Sequence, residues 1–196
     1  MTNKKTEAPG EARQLFSVFL LVYAIHCVEQ TYFIYGNVLE SYGFSPQMTG
    51  KALGSFFIAI MAARPVGSWM IENLGIRRSL IWGGAMALAG CSVLFFTRSV
   101  IGIYAGRILS GLAFGVFTLG IYSYQALVTK PEQRGKFFAL TMPGGVLPMA
   151  TITPLGEWLF MGGHVKSYLA LGPIVGAACL FLGMRTASDS TSRRPD

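Results

Sequence analysis

Charged side chains are scarce in this sequence. Asp, Glu, Lys and Arg make up 13% of the 196 residues, the apolar residues make up 52%, and the mean hydropathy is +0.49. Soluble domains usually have about a quarter of their residues charged, so this composition excludes an ordinary soluble protein and indicates a lipid bilayer as the surroundings. The net charge of +7 does not predict a nucleic-acid partner, because the basic residues lie in short loops and tails between apolar segments.

Cysteine and histidine are also rare. The three cysteines, Cys27, Cys91 and Cys179, lie in three different apolar segments, and an odd number predicts no disulfide framework. The two histidines, His26 and His164, are too few to complete a metal site with the acids around them. We therefore expect no metal and no cofactor. An enzyme is the least favoured class, since no nucleophile and base converge at one depth.

Long apolar runs dominate the rest of the chain. The first run follows a polar stretch of fourteen residues and is long enough to cross a bilayer, so we expect it to be retained rather than cleaved as a signal peptide. A helix needs about 20 apolar residues to cross, and this length divides the chain into an all-α protein of six transmembrane spans. Spans 1 to 6 are predicted at about 14–37, 48–71, 79–97, 102–127, 136–160 and 167–185.

The basic residues predict the orientation of the spans, because loops on the cytoplasmic side hold the excess of Lys and Arg. Eleven Lys and Arg residues lie on one side of the predicted spans and three on the other. This asymmetry predicts that both termini lie in the cytoplasm of an inner-membrane protein. Residues 1–13 then form a cytoplasmic segment, 14–185 the membrane domain and 186–196 a disordered cytoplasmic tail. Arg64 and Arg107 lie within spans. The cytoplasmic set is Lys4, Lys5, Arg13, Arg77, Arg78, Lys130, Arg134, Lys136, Arg185, Arg193 and Arg194, and the opposite set is Lys51, Arg98 and Lys166.

One short motif occurs twice. The stretch PVGSWMI at 65–71 recurs as PLGEWLF at 154–160, which aligns span 2 with span 5. Because these two spans run in opposite directions, the match predicts two three-helix repeats related by an axis in the membrane plane.

The sequence ARPVGSWMIENLGIRRSL, residues 63–80, carries a recognisable loop. It resembles the loop between helices 2 and 3 of the major facilitator superfamily, which runs roughly G-x-L-A-D-R-x-G-R-R. The resemblance implies a charged latch that favours one of two rocking states. Alternatively, the arginine pair only anchors the loop on the positive side. The positions that carry the resemblance are Ser68, Met70, Glu72, Gly75, Arg77 and Arg78, and Arg64 and Pro65 precede them.

Two further stretches resemble the same family. GRILSGLAFGVF at 106–117 is similar to its fourth-helix motif, and TPLGEW at 153–158 is similar to its fifth-helix antiporter motif, with Pro154 and Gly156 at matching positions. The resemblance covers the whole chain but only the N-terminal six-helix half of the family's twelve-helix fold. Ser68 and Glu72 depart from the family's glycine and aspartate.

Arg107 is the most unusual residue, because an arginine within a span costs on the order of 3 kcal/mol and is kept for a cavity or a partner. Glu29 in span 1 is its candidate partner at a similar depth. The pair is either a proton-coupling device or a structural clamp between spans 1 and 4. His26 lies one turn before Glu29 and is either a proton relay or a polar cavity wall.

Aromatic and amide side chains near the same spans are candidates for a solute site. Tyr32, Tyr122 and Gln125 either line an amphipathic cavity for a small organic solute or face lipid. Arg64 is assigned to helix gating, through snorkelling or a pair with Glu72. Glycine pairs at spacing four, such as Gly111 and Gly115, predict close helix approach.

These features favour one function over two alternatives. The first is a half-size secondary transporter that moves a small organic solute against protons, with efflux favoured, as a homodimer or with a second half. The second is a non-transporting scaffold subunit of a larger membrane complex, and the third an inactive truncated transporter half. The expected partners are the bilayer, the solute, and a second copy or another membrane subunit.

Overall fold

A computed structural model of the chain describes residues 9–186. The predicted N-terminal segment 1–13 and tail 186–196 lie largely outside these residues. Within residues 9–186 the regular structure is helical throughout. The elements are α1 (Pro9–Thr31), α2 (Tyr35–Ser41), α3 (Pro46–Leu74), α4 (Ile76–Phe96), α5 (Val100–Val128), a 3-10 turn (Pro131–Gln133), α6 (Arg134–Thr141), α7 (Pro143–Met161) and α8 (Val165–Arg185).

Six helical segments are long and apolar enough to cross a membrane, as predicted. Their ends lie within about five residues of the predicted ones. Spans 1 to 6 are Ala12–Ser41, Pro46–Leu74, Ile76–Phe96, Val100–Val128, Pro131–Met161 and Val165–Arg185.

Two spans are interrupted, which the prediction of continuous helices missed. Span 1 breaks at 32–34, where the Tyr35 N–H donates to the Tyr32 carbonyl at 3.2 Å and so leaves the helical i→i−4 pattern. Span 5 breaks at Met142, because Pro143 has no N–H to continue the helix. Proline and glycine do not mark the break in span 1, so local sequence gives no signal for it.

Short turns connect the spans. A single residue, Gly75, joins α3 to α4 with φ 84°, a conformation that only glycine adopts without strain. Gly43 and Gly163 have similar positive φ in two of the three loops on the opposite side. Ser45 and Ser99 begin spans 2 and 4 by accepting hydrogen bonds from the Met48 and Gly102 amides, as N-caps do.

The spans pack in a regular order. Span 3 lies between spans 4 and 6, span 1 contacts spans 4, 5 and 6, and span 2 packs on span 4. Exchanging spans 1, 2 and 3 with spans 4, 5 and 6 leaves this set of neighbours unchanged. Gly67 and Gly156, which the repeated motif aligns, are both buried, while Trp69 and Trp158 are both exposed. The inverted axis itself remains a prediction.

Candidate functional site

Span 1 has one incompletely buried stripe along an otherwise buried helix. Tyr23, His26, Glu29 and Gln30 are half-buried and Phe33 is exposed, while most of the residues between them are buried. Spacings of three and four place them on one side of the helix. We call these five residues the open strip. The polar side chains in the middle of span 1 therefore lie where a solute or another protein surface can reach them.

Polar contacts join the open strip to span 5. The Tyr23 hydroxyl is 2.9 Å from Thr151 Oγ1, and the Thr153 hydroxyl donates to Gln30 Oε1 at 3.1 Å. Gln30 and Thr151 were missed as site residues because uncharged polar side chains are common in spans. Gln30 could have been found from its spacing to Tyr23 and His26, which share one helix face with it, whereas no comparable spacing pointed to Thr151.

His26 is held with a defined ring orientation. Its Nδ1 lies 2.8 Å from the Val22 carbonyl, which can only accept, so Nδ1 donates and Nε2 is left as the basic nitrogen of the neutral ring. The ring stacks edge-on against Phe114 of span 4 with centroids 5.2 Å apart. Gly145 of span 5 lies beside the Nε2 end of the ring, where an added Cβ would be 3.4 Å from Nε2. His26 therefore sits where spans 1, 4 and 5 meet.

The predicted pair of Glu29 and Arg107 does not form. Glu29 is half-buried on the open strip, whereas Arg107 is 4% exposed and lies over the rings of Phe56 and Tyr32 at 4.5 and 5.7 Å. Among residues 9–186 neither side chain makes an ion pair. The physical reason is rotational: similar depth in two helices does not make two side chains point at each other.

Arg107 has a single weak hydrogen bond. Its Nη2 donates to the Leu53 carbonyl of span 2 at 3.5 Å, which is the long limit for such a bond. Nε and Nη1 have no hydrogen-bond partner in the described part of the chain. Arg107 is thus a buried cation, and the aromatic rings of Tyr32 in span 1 and Phe56 in span 2 face it.

Tyr32, Tyr122 and Gln125 have different surroundings. Tyr32 is buried, with its hydroxyl 3.4 Å from the Cys91 carbonyl and its ring against Tyr35. Gln125 is fully buried and donates to Thr141 Oγ1 at 2.9 Å, so it ties span 4 to α6. Tyr122 is 41% exposed, and of the three it alone has an open face.

In the motif around the loop between spans 2 and 3, one residue is hydrogen-bonded to another span and several residues are exposed. Arg77 donates to the Met184 carbonyl at the end of span 6 at 3.1 Å, so it links this loop to another span. Gly75 makes the turn itself. In the described structure Arg64 and Glu72 do not form the ion pair that was one of the two alternatives for Arg64. The exposed members are Arg64, Ser68, Glu72 and Arg78.

The fifth-span motif contains one packing position. Gly156 is buried, and a Cβ there would lie 3.2 Å from the Tyr168 ring of span 6. Pro154 is exposed within α7. Gly156 thus allows spans 5 and 6 to approach, and Pro154 faces outward.

Six apolar spans, one of which carries the polar side chains of the open strip, define a polytopic membrane protein. The sequence model of the Major Facilitator Superfamily matches residues 15–196, which is nearly the whole chain. The chain therefore belongs to the Major Facilitator Superfamily and is a multi-pass membrane protein.

Three curated relatives illustrate the match. The chain is 28% identical over 167 residues to the oxalate:formate antiporter of Oxalobacter formigenes, covering 83% of this chain and 39% of the relative. It is 24% identical over 154 residues to multidrug resistance protein MdtH of Cronobacter sakazakii, covering 76% and 38%. It is 31% identical over 137 residues to monocarboxylate transporter 2 of Rattus norvegicus, covering 65% and 27%. The chain thus spans about two fifths or less of the length of these relatives.

Proposed function

We propose that the chain is one six-span unit of a secondary active transporter that moves a small organic solute in exchange for protons, with efflux favoured. The observation that carries this proposal is the open strip of span 1, where Glu29 and His26 lie half-buried beside the polar contacts to span 5. Both side chains can take up and release a proton, and groups of this kind within spans often mark proton paths.

A second six-span unit completes the proposed transporter. Spans 2 and 5 are the least buried of the six, and both expose large apolar side chains. Because superfamily halves share one membrane orientation, a second copy can pair about an axis along the membrane normal and enclose the open strip. A different polypeptide can supply the same surface. The exposed side chains include Phe57, Ile58, Met61, Trp69, Met142, Val146, Met149 and Trp158.

The topology proposal follows from the charge distribution. The eleven-to-three split of basic residues supports an inner-membrane protein with both termini in the cytoplasm.

The names of the relatives do not agree on one solute, since they include oxalate and formate, monocarboxylates and multiple drugs.

Proton coupling is testable in inside-out membrane vesicles that hold an acid interior. A pH-sensitive dye reports the collapse of the gradient when members of a panel with oxalate, formate and lipophilic cations are added. We expect Glu29→Gln to slow the collapse by at least about 10-fold, because the group that carries the proton is lost. Glu40→Gln is the matched control, since Glu40 is an exposed acid at the other end of the same span. A panel without effect beyond that of vesicles lacking the chain would refute the transporter proposal.

The alternative is a non-transporting scaffold subunit. It is favoured by the position of Arg107, which lies among rings rather than on the open strip. A scaffold predicts that Glu29→Gln changes the mass of the complex in native membranes and leaves proton flux unchanged. A transporter predicts the opposite pair of results.

A further inference from the structure

The outer end of the bundle, opposite to the Gly75 turn, contains a narrow apolar cleft. The cleft lies between α2 and the first turns of spans 2 and 4, and it has a volume of about 170 Å³ when its open side is included. It is lined by Leu39, Phe44, Met48, Ala52, Val100, Ile103 and Tyr104. Ala52, at its inner end, lies about 9 Å below the start of span 2, because a helix rises about 1.5 Å per residue. Apart from the Tyr104 hydroxyl the lining is apolar, so it suits a hydrocarbon group better than water.

Arg98 lies at the rim of this cleft. It is two residues before Val100 of the lining, and its Cζ lies 4.9 Å from the centre of the Tyr42 ring. The ring face attracts the guanidinium and so holds the side chain beside the cleft. In the described part of the chain the Arg98 side chain is exposed and makes no ion pair. Its N–H donors are therefore available to an anion.

Lys51 provides a second cation beside the cleft. It is one residue before Ala52 and about one turn after Met48, so it flanks the lining on the surface of span 2. Lys51 is exposed, and among residues 9–186 it forms no ion pair. The sequence places three basic residues on this side of the spans, Lys51, Arg98 and Lys166, and two of the three lie next to the cleft. Because basic residues are generally depleted on this side, the pair points to a ligand that is negative at one end and apolar at the other.

The helix ends at the cleft favour the same sign of ligand charge. Spans 2 and 4 both begin at this end, at Pro46 and Val100, and each is a helix of 29 residues. The N-terminus of a helix carries a partial positive charge, which adds to the charges of Lys51 and Arg98. Glu40, the acid that follows Leu39 of the lining, is exposed and within the described structure pairs with neither cation. The mouth of the cleft is therefore net positive.

We propose that this cleft binds an anionic glycerophospholipid, with the phosphate between Lys51 and Arg98 and part of one acyl chain in the cleft. Free phosphate would leave the apolar lining unused, and an uncharged apolar molecule would leave the two cations unused, so a lipid is the ligand that matches both. The flexible Met48 side chain lies in the lining and can move to widen the cleft for a chain. The bound lipid contacts α2, span 2 and span 4 at once and joins their outer ends. This site is independent of the proposed transport function.

Photolabelling locates the lipid. The full chain is placed in phosphatidylcholine nanodiscs that contain a small fraction of phosphatidylglycerol or phosphatidylcholine, each with the same diazirine-bearing acyl chain, and the labelled peptides are identified by mass spectrometry. The readout is the labelling of residues 44–52 and 100–104 by phosphatidylglycerol relative to phosphatidylcholine. One cation near the membrane surface strengthens the binding of an anionic lipid about 5-fold, so we expect a ratio of about 25 from two cations. Equal labelling by the two lipids would overturn the proposal.

Charge variants assign the preference to the mouth of the cleft. Arg98→Gln and Lys51→Gln are each expected to lower the labelling ratio about 5-fold. Lys166→Gln is the matched control, because it removes an exposed cation on the same side, at the start of span 6, and it is expected to leave the ratio unchanged. All three side chains are exposed, so the variants are expected to fold, which circular dichroism checks. An equal fall in all three variants would show that the lipid responds to surface charge in general, and the proposed site would be wrong.

A further variant tests the apolar part of the site. Val100 is 39% exposed at the rim of the cleft, so Val100→Trp is expected to close the cleft and to lower the labelling of residues 44–52 by both lipids. Ile101→Trp is the control, since Ile101 is 83% exposed and lies outside the lining. Unchanged labelling in Val100→Trp would show that no acyl chain enters the cleft. Glycerol 3-phosphate has the charge without the chain, and if it displaced the labelled lipid at the same concentration as phosphatidylglycerol does, the ligand would be free phosphate and the lipid assignment would fail.

Discussion

The contact between spans 3 and 6 permits a quantitative prediction. Gly84 of span 3 lies against the backbone of span 6, and a Cβ added there would be 2.6 Å from Leu180 Cα and 2.7 Å from Leu180 N. In the reverse direction, a Cβ on Gly176 of span 6 would be 2.6 Å from Leu88 Cα of span 3. The two helices thus touch backbone to backbone, the arrangement that small residues permit in membranes.

Gly84→Ala forces these helices apart. Ordinary contacts of a Cβ begin at 3.4 Å, so span 6 must move by about 0.8 Å, and the atoms it meets are backbone atoms that cannot rotate away. Overpacking of this kind costs about 1–3 kcal/mol. Alanine gains about 1 kcal/mol in helix propensity over glycine, which offsets part of that cost. We therefore expect a net loss of about 1 kcal/mol, and at most about 2 kcal/mol, in the free energy of unfolding.

The assay is unfolding of the purified chain by increasing SDS in mixed micelles, followed by circular dichroism. Gly54→Ala is the matched control, because Gly54 is also in a helix but has no atom within 4 Å of an added Cβ. We expect Gly54→Ala to be neutral or stabilising. Equal stability of the two variants would show that the backbones of spans 3 and 6 lie further apart than in the structure, and it would refute the reasoning.

Two further substitutions test single hydrogen bonds. Tyr168→Phe removes the hydroxyl that donates to the buried Thr31 carbonyl at 2.6 Å. We expect the same SDS assay to show a loss of about 1 kcal/mol in the free energy of unfolding. Tyr104→Phe is the control, and equal losses in the two variants would contradict the prediction. Arg77→Gln removes the bond to the Met184 carbonyl, so we expect faster amide hydrogen exchange in the last turn of span 6. Arg78→Gln removes the same charge from an exposed neighbour, and equal exchange in the two variants would argue against the link.

Much of the fold was accessible from the sequence because the length of an apolar run acts independently of its neighbours. A run of about 20 apolar residues requires a span, so six were found with small errors at their ends. Glycine pairs also predicted close approach, and Gly115 indeed lies against Ala63 and Ile60 of span 2. The interruption of span 1 was missed, because residues 31–34 contain neither proline nor glycine and the break depends on tertiary contacts.

The pairing of Glu29 with Arg107 failed for a related reason. Depth along a helix can be counted in sequence, but the direction of a side chain depends on how the helix is rotated against its neighbours. Arg107 points to Tyr32, which lies beyond the end of α1, while Glu29 lies on the open strip. A sequence pattern therefore identified the unusual charges and could not choose their partners.

The break in span 1 connects the two parts of the candidate site. Its first helix, α1, carries Tyr23 and Gln30, whose hydroxyl and amide contact span 5. Tyr32, whose ring covers Arg107 from span 1, lies at the break itself. In a continuous helix the Tyr35 N–H would take the Thr31 carbonyl, and here Tyr168 takes it instead. In the described residues α1 and α2 share no backbone hydrogen bond across the break, so the bond from the Tyr168 hydroxyl helps to hold the end of α1 in place. Loss of the Tyr168 hydroxyl should therefore loosen this joint first, ahead of global unfolding, and amide exchange at 32–35 should rise more than elsewhere in span 1.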